Sequence, residues 1–147
     1  MYRRILVTTG GGELSSKAVK AALRLARDFD STVIALNVQS PYQPPIAGEV
    51  PATFAHNPDE YDEMARANSR KILDQVEETA KGFGVDCQTI TVFDQSVHQA
   101  VIRVAKDERI DLIVMASHGR SGIKSLILGS ETQKVLSSCM IPVLVHR

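Results

Sequence analysis

The sequence predicts an α/β fold, an open five-stranded parallel sheet with helices on both faces. Three observations carry this. Strand-length apolar runs alternate with helical patterns throughout. The runs are nearly continuous in Val, Ile and Leu, as strands buried on both faces require. The 147 residues suit a single domain, residues 1–147, with a core of its own.

Arg4–Thr9 reads as the first strand, and Gly10-Gly11-Gly12 as the turn after it. The next helix puts Ala18, Ala22, Leu25 and Phe29 on one stripe, the spacing of a core-facing side. Ser31–Val38 is the second strand. Pro41, Pro44, Pro45, Pro51 and Pro58 then break the pattern, so Ser40–Pro58 reads as a long exposed loop, a lid, binding loop or disordered flap. Asn57-Pro58-Asp59-Glu60 has the form of a helix start, with Asn as cap and Pro at the first helical position. That helix carries Met64, Ile72, Val76, Ala80 and Phe83 and stops near Gly82-Phe83-Gly84.

Val85–Phe93 is the third strand. Ser96-Val97-His98-Gln99 reads as a capping box that opens a helix with Val97, Ala100, Val101 and Val104 inward. Ile110–Ala116 is the fourth strand. A second capping box, Ser130-Glu131-Thr132-Gln133, opens a helix whose buried face is marked by Val135 and Leu136. Ile141–Val145 closes the chain as the fifth strand; Pro142 fits only the start or edge of one. There is no internal repeat.

Charge and composition exclude several classes. Lys plus Arg (17) balances Asp plus Glu (17), so no global field draws nucleic acid or anionic lipid. The apolar runs fall short of the roughly 20 residues that span a bilayer. Met1-Tyr2-Arg3-Arg4 leads directly into Ile5-Leu6-Val7, which is no signal-peptide pattern and predicts a cytoplasmic protein. Cys87 and Cys139 have neither metal-ligand nor CxxC spacing and read as reduced, buried thiols.

The segment with most chemistry runs from Ile110 to Ser130. A buried strand ends in Ala116-Ser117-His118-Gly119, and Gly129-Ser130 follows nine residues after Gly119. Glycines let a ligand approach the backbone closely, and a helix N-terminus offers amides and a positive dipole end to an anion. Gly10-Gly11-Gly12 offers a second bare backbone, either a tight turn or an anion-holding nest. Ligands of open α/β sheets bind beyond the strands' carboxyl ends where strand order reverses. The expected site is therefore a phosphate-binding cleft between the first and fourth strand ends. Arg120 and Lys124 could balance phosphate charge or simply face solvent, and the sequence shows no carboxylate or nucleophile at an evident catalytic spacing from His118, which reads as structural or solvent-facing.

These residues resemble the universal stress protein family, over essentially the whole chain. Nucleotide-binding members carry Gly, two residues, Gly, nine residues, then Gly with Ser or Thr; here that pattern falls on Ala116, Gly119, Gly129 and Ser130. The first position departs by one methyl group, and Gly10 stands where such members usually have Asp. Gly12 stands where Ser is common. The resemblance implies a Rossmann-like fold of the adenine nucleotide alpha hydrolase type that binds ATP, with Mg²⁺ as its accompanying ion. Adenine would sit near Val38 and the phosphates over Gly119, Gly129 and Ser130. Thr8, Thr9, Gly10, Met115, Ala116, Ser117, Arg120 and Glu131 complete the implied binding set. It also implies a homodimer through the last strand, Val143, Leu144 and Val145, which would otherwise be an apolar edge.

No GxxxxGK[ST], GxGxxG or metal-spaced acidic cluster occurs, so the parts needed for fast phosphoryl transfer are absent and the chain does not read as an enzyme. Slow hydrolysis or self-phosphorylation stays open. Three functions compete: a nucleotide-responsive binding protein acting in stress response or signalling, a dimeric interaction module that binds no nucleotide, and a flavodoxin-like FMN carrier. The last rests on Thr8-Thr9-Gly10 with Ser15 and Ser16, and only Tyr42 and Phe54 lie in a loop that could face a flavin.

Overall fold

The structure, a computed structural model, describes residues 1–46, 48, 57–118 and 128–147. Five strands and four helices alternate: β1 (Arg4–Thr8), α1 (Glu13–Phe29), β2 (Thr32–Gln39), α2 (Pro58–Phe83), β3 (Cys87–Phe93), α3 (Val97–Asp107), β4 (Leu112–Ala116), α4 (Ser130–Ser138) and β5 (Val143–His146). The strands pair in parallel in the order β3-β2-β1-β4-β5. Order reverses at β1, which pairs with β2 on one side and β4 on the other, so the switch point falls between β1 and β4.

The alternation of side chains divides the core into two layers. Ile5, Val7, Val33, Ala35, Leu112 and Val114 face α1 and α2, and meet Ala18, Ala22, Leu73 and Val76. Leu6, Ile34, Leu36, Ile113 and Met115 face the other way, towards Val101 and Val104 of α3 and Val135 of α4. All five residues of β4 are buried, and each large aliphatic side chain so removed from water contributes about 1.5–3 kcal/mol. Among the described residues no helix is long and apolar enough to cross a membrane.

Helix ends follow local rules in some places and tertiary ones in others. The Asn57 side chain accepts from the Glu60 amide at 2.8 Å, with Pro58 beginning the helix. Gly84 ends α2 at φ 68°, and Asp30 ends α1 in the same left-handed region. Of the two predicted Ser caps, Ser96 holds the cap position of α3 but makes no side-chain cap bond, and Ser130 does not hold that of α4. Ser130 is the first helical residue of α4 and Gly129 is the cap, without a side-chain bond. Ser96 precedes α3, but its hydroxyl pairs with His98 Nδ1 at 3.0 Å. The His98 amide is capped instead by Glu131 of α4, at 2.9 Å.

Three residues read as buried are exposed: Phe29 (42%), Met64 (52%) and Leu136 (43%). In α1 the buried stripe is Ala18, Val19, Ala22, Leu23 and Ala26, which turns Phe29 out to meet the Tyr2 ring edge-on at 6.2 Å. Small residues on that stripe let α1 lie close to the sheet. Pro142 lies just before β5, where its missing N–H costs no ladder bond. Of the proline-rich segment, residues 41–46 form no helix or strand, and residues 47 and 49–56 lie outside the described residues.

Candidate functional site

The parallel register places the ends of β1, β2 and β4 side by side: Thr8 pairs with Leu36, and Val7 with Val114. Thr8, Thr9 and Gly10 therefore leave the sheet next to Ala116 and Ser117, with Val38 at the neighbouring end of β2.

At the β1 end the glycine turn is held by side chains. The Thr9 amide makes the last rung to Leu36 O at 3.0 Å. The Thr9 carbonyl then accepts from Asn37 Nδ2 at 2.8 Å, and the Thr9 hydroxyl accepts from the Gly11 amide at 3.2 Å. Gly11 has φ +79°, and a Cβ there would stand 2.9 Å from Ile72 Cγ1. Only glycine meets both demands without strain. The Ser15 hydroxyl donates to the Gly12 carbonyl at 3.0 Å, tying the turn to the first residues of α1. Thr9, Gly11, Lys20 and Ile72 also border a crevice of about 180 Å³ between α1 and α2.

At the β4 end the chain is held by backbone contact. Ser117 N donates to His146 O at 2.8 Å, and Ser117 O accepts from the Gly129 amide at 2.7 Å. A Cβ on Gly129 would meet Ser117 O at 2.9 Å and His118 Cα at 3.3 Å. Gly129 is required for space, since its φ of −59° suits any residue. Thr132 Oγ1 donates to the Ala116 carbonyl at 3.0 Å, a second clasp between strand and helix. The first turn of α4 thus sits directly over the end of β4. Its Ser130 and Glu131 amides fall among those for which a helix start supplies no intrahelical acceptor.

The predicted site residues divide accordingly. Thr8, Thr9, Gly10, Ala116, Ser117, Gly129 and Ser130 gather at the switch point. Val38 is at its margin, half-buried against the α3 and α4 layer. Met115 is 4% exposed and packs in that layer, leaving only its backbone near the edge. The Gly129 amide, expected to face a ligand, is occupied by Ser117. Glu131 turns away from the cleft: its carboxylate accepts from His98 N at 2.9 Å, lies 3.2 Å from His98 Nδ1 and pairs with Lys134 at 3.3 Å. Partial burial opposes its ionisation, but the His98 amide, Lys134 and the His98 ring outweigh that and hold the carboxyl below its ordinary value. Gly119, Arg120 and Lys124 lie outside the described residues.

Sequence reasoning missed Asn37 and Thr132. Asn37 carried a legible signal: it is the one polar residue within the apolar run Val33–Val38. Thr132 carried none, because its role depends on how α4 is set over β4. Among the described residues no group of three or more His, Cys, Asp or Glu could hold a metal ion.

Comparison with known proteins matches the model of the universal stress protein family to residues 1–147. Universal stress protein YxiE of Bacillus subtilis is 30% identical over the full length of both chains. A solved universal stress protein in complex with cAMP has a TM-score of 0.71 at 23% identity, over 98% of this chain and 95% of its own. The universal stress protein from Archaeoglobus fulgidus in complex with dAMP has a TM-score of 0.69 at 14% identity, over 99% and 98%. At such identities the two structures establish a shared fold.

Proposed function

The chain belongs to the universal stress protein family, and we propose on that footing that it binds an adenine nucleotide across the ends of β1 and β4. The observation that carries this reading is the convergence, at the point of strand reversal, of a side-chain-free turn (Gly10–Gly12) and the first turn of α4. The turn contributes backbone without side chains and the helix start contributes the Ser130 and Glu131 amides, which have no intrahelical acceptor, a combination that suits a phosphate. ATP is the expected ligand, its phosphates towards Ser130 and the Gly119 region and its base towards Val38. The fold neighbours that hold cAMP and dAMP support the adenine nucleotide class. Bound nucleotide would order the connections at this edge and so alter the surface offered to partners in stress response or signalling.

The residues fit the ligand with one adjustment. Gly129 shapes the cradle by close approach to Ser117, while the Ser130 and Glu131 backbone amides would meet the anion. The protein would act as a homodimer through β5, whose Val143, Leu144 and Val145 are half-buried beside a fully exposed Met140. Such an edge is stabilised by pairing with a second copy. Mass spectrometry of protein purified under native conditions should find adenine nucleotide. Calorimetry should give a dissociation constant for ATP below millimolar; weaker binding and an empty purified protein would overturn the reading.

A second reading is a dimeric interaction module that binds no nucleotide, favoured by the engagement of the Gly129 amide within the protein. It predicts that Val145→Lys abolishes function in cells while Ser130→Asp, which repels phosphate at the exposed start of α4, leaves it unchanged.

A further inference from the structure

We propose that Asn37 is the positioning residue of this site, the buried side chain that sets the conformation of the glycine turn on which a nucleotide would rest. The inference stands on the nucleotide reading above. Asn37 is 2% exposed in a strand whose preceding residues Val33–Leu36 are wholly buried. A buried amide is costly unless its donors and acceptors are used. Here Nδ2 donates to the Thr9 carbonyl at 2.8 Å, and Oδ1 accepts from Gln39 Nε2 at 2.7 Å.

The position of these bonds explains their use. The β1–β2 backbone ladder ends with Thr9 N on Leu36 O. Beyond it the strands part, and the Asn37 side chain supplies the next rung in place of backbone. Thr9, fixed at its amide and its carbonyl, presents its hydroxyl to the Gly11 amide at 3.2 Å. Three successive glycines have wide conformational freedom and no side chains with which to limit it. On the strand side, order in this turn comes from the chain of bonds Gln39–Asn37–Thr9–Gly11; on the helix side it comes from Ser15 on the Gly12 carbonyl. Asn37 precedes Val38, the expected neighbour of the base, and its side chain reaches the glycine turn through Thr9. Removing it leaves every ligand contact in place but makes binding bear the cost of ordering the turn.

Asn37→Leu, of similar size, removes the donor. Ser31→Ala serves as control: it breaks another buried polar bond, from the Ser31 hydroxyl to the Tyr2 carbonyl, at the opposite end of the β1–β2 pair. Amide exchange followed by NMR should accelerate at Gly11 at least about tenfold in Asn37→Leu and remain unchanged there in Ser31→Ala. ATP affinity by calorimetry should fall about tenfold in the first and stay within about twofold in the second. Unchanged affinity in Asn37→Leu, or an equal fall in both variants, would overturn the proposal. Should Asn37→Leu fail to fold, Gln39→Met removes the bond that orients the Asn37 amide and is expected to act in the same direction. If wild-type protein takes no ATP, the nucleotide reading fails first. Faster exchange at Gly11 would then make Asn37 a structural lock only, and the positioning role falls with it.

Discussion

The two connections at the switch point demand glycine for different reasons. In the β1–α1 turn, Gly11 is needed for its conformation: its φ of +79° disfavours a side chain even in open space. At the head of α4, Gly129 is needed for volume: its φ of −59° is ordinary, but Ser117 O occupies the place of a Cβ. The first turn is held by side chains of Asn37, Thr9 and Ser15. At the second site Ser117 and Gly129 meet backbone to backbone. A glycine-rich motif alone does not reveal which of these it encodes.

Substitutions separate the two cases. Gly129→Val should be the most damaging, since neither Ser117 O nor His118 Cα can move without shifting β4 or α4. A loss of about 2–3 kcal/mol in urea unfolding is expected, at the upper end of overpacking costs. A loss under 1 kcal/mol would mean that α4 yields easily and that the contact is incidental. Gly11→Ala should cost less, about 1–2 kcal/mol for the left-handed backbone, plus its contact with Ile72. Ile72→Ala, which removes the obstructing Cγ1, should cost less beside Gly11→Ala than alone, a partial recovery; beside Gly129→Val it should cost the same as alone. Recovery in both, or in neither, would erase the distinction drawn here.

Thr132→Val tests the clasp on the Ala116 carbonyl. It should cost about 1 kcal/mol, the net value of one buried hydrogen bond, without altering exchange at Gly11. The smallest effect is expected from the brace between α3 and α4. The Glu131 carboxyl titrates lower in the fold than in the unfolded chain. Its contribution is therefore complete above about pH 4.3, the ordinary Glu value, and disappears as pH falls through the lowered one. Thermal unfolding of wild type and Glu131→Gln should differ most above that range and converge below it. A gap that stays constant to lower pH would show that the carboxylate is not what braces α3.

Much of this was legible in the chain. Alternating apolar runs required a sheet covered on both faces, and the Ala116–Ser130 spacing marked the segment that belongs at its edge. Asn57 and Gly84 ended α2 as their types predict, because those ends are settled within a few residues of chain. The errors have a common cause. Ser96 and Ser130 carry cap signals, yet the α3 cap comes from Glu131, 33 residues from His98. Phe29, Met64 and Leu136 fit a helical period but fall outside the strip that touches the sheet. Periodicity gives the existence of a buried face and leaves its rotation to the packing partners.

The sequence by itself therefore determined the fold class, the order of elements and the end of the sheet at which the glycine-bearing turns lie, because side-chain period and backbone chemistry are local. Tertiary structure alone decided which amides there are taken up within the protein, which glycine serves shape and which serves space, and that Asn37 stands behind the turn. These depend on groups distant in the chain approaching within a hydrogen bond's length, a condition that only strand pairing and the seating of α4 over β4 create.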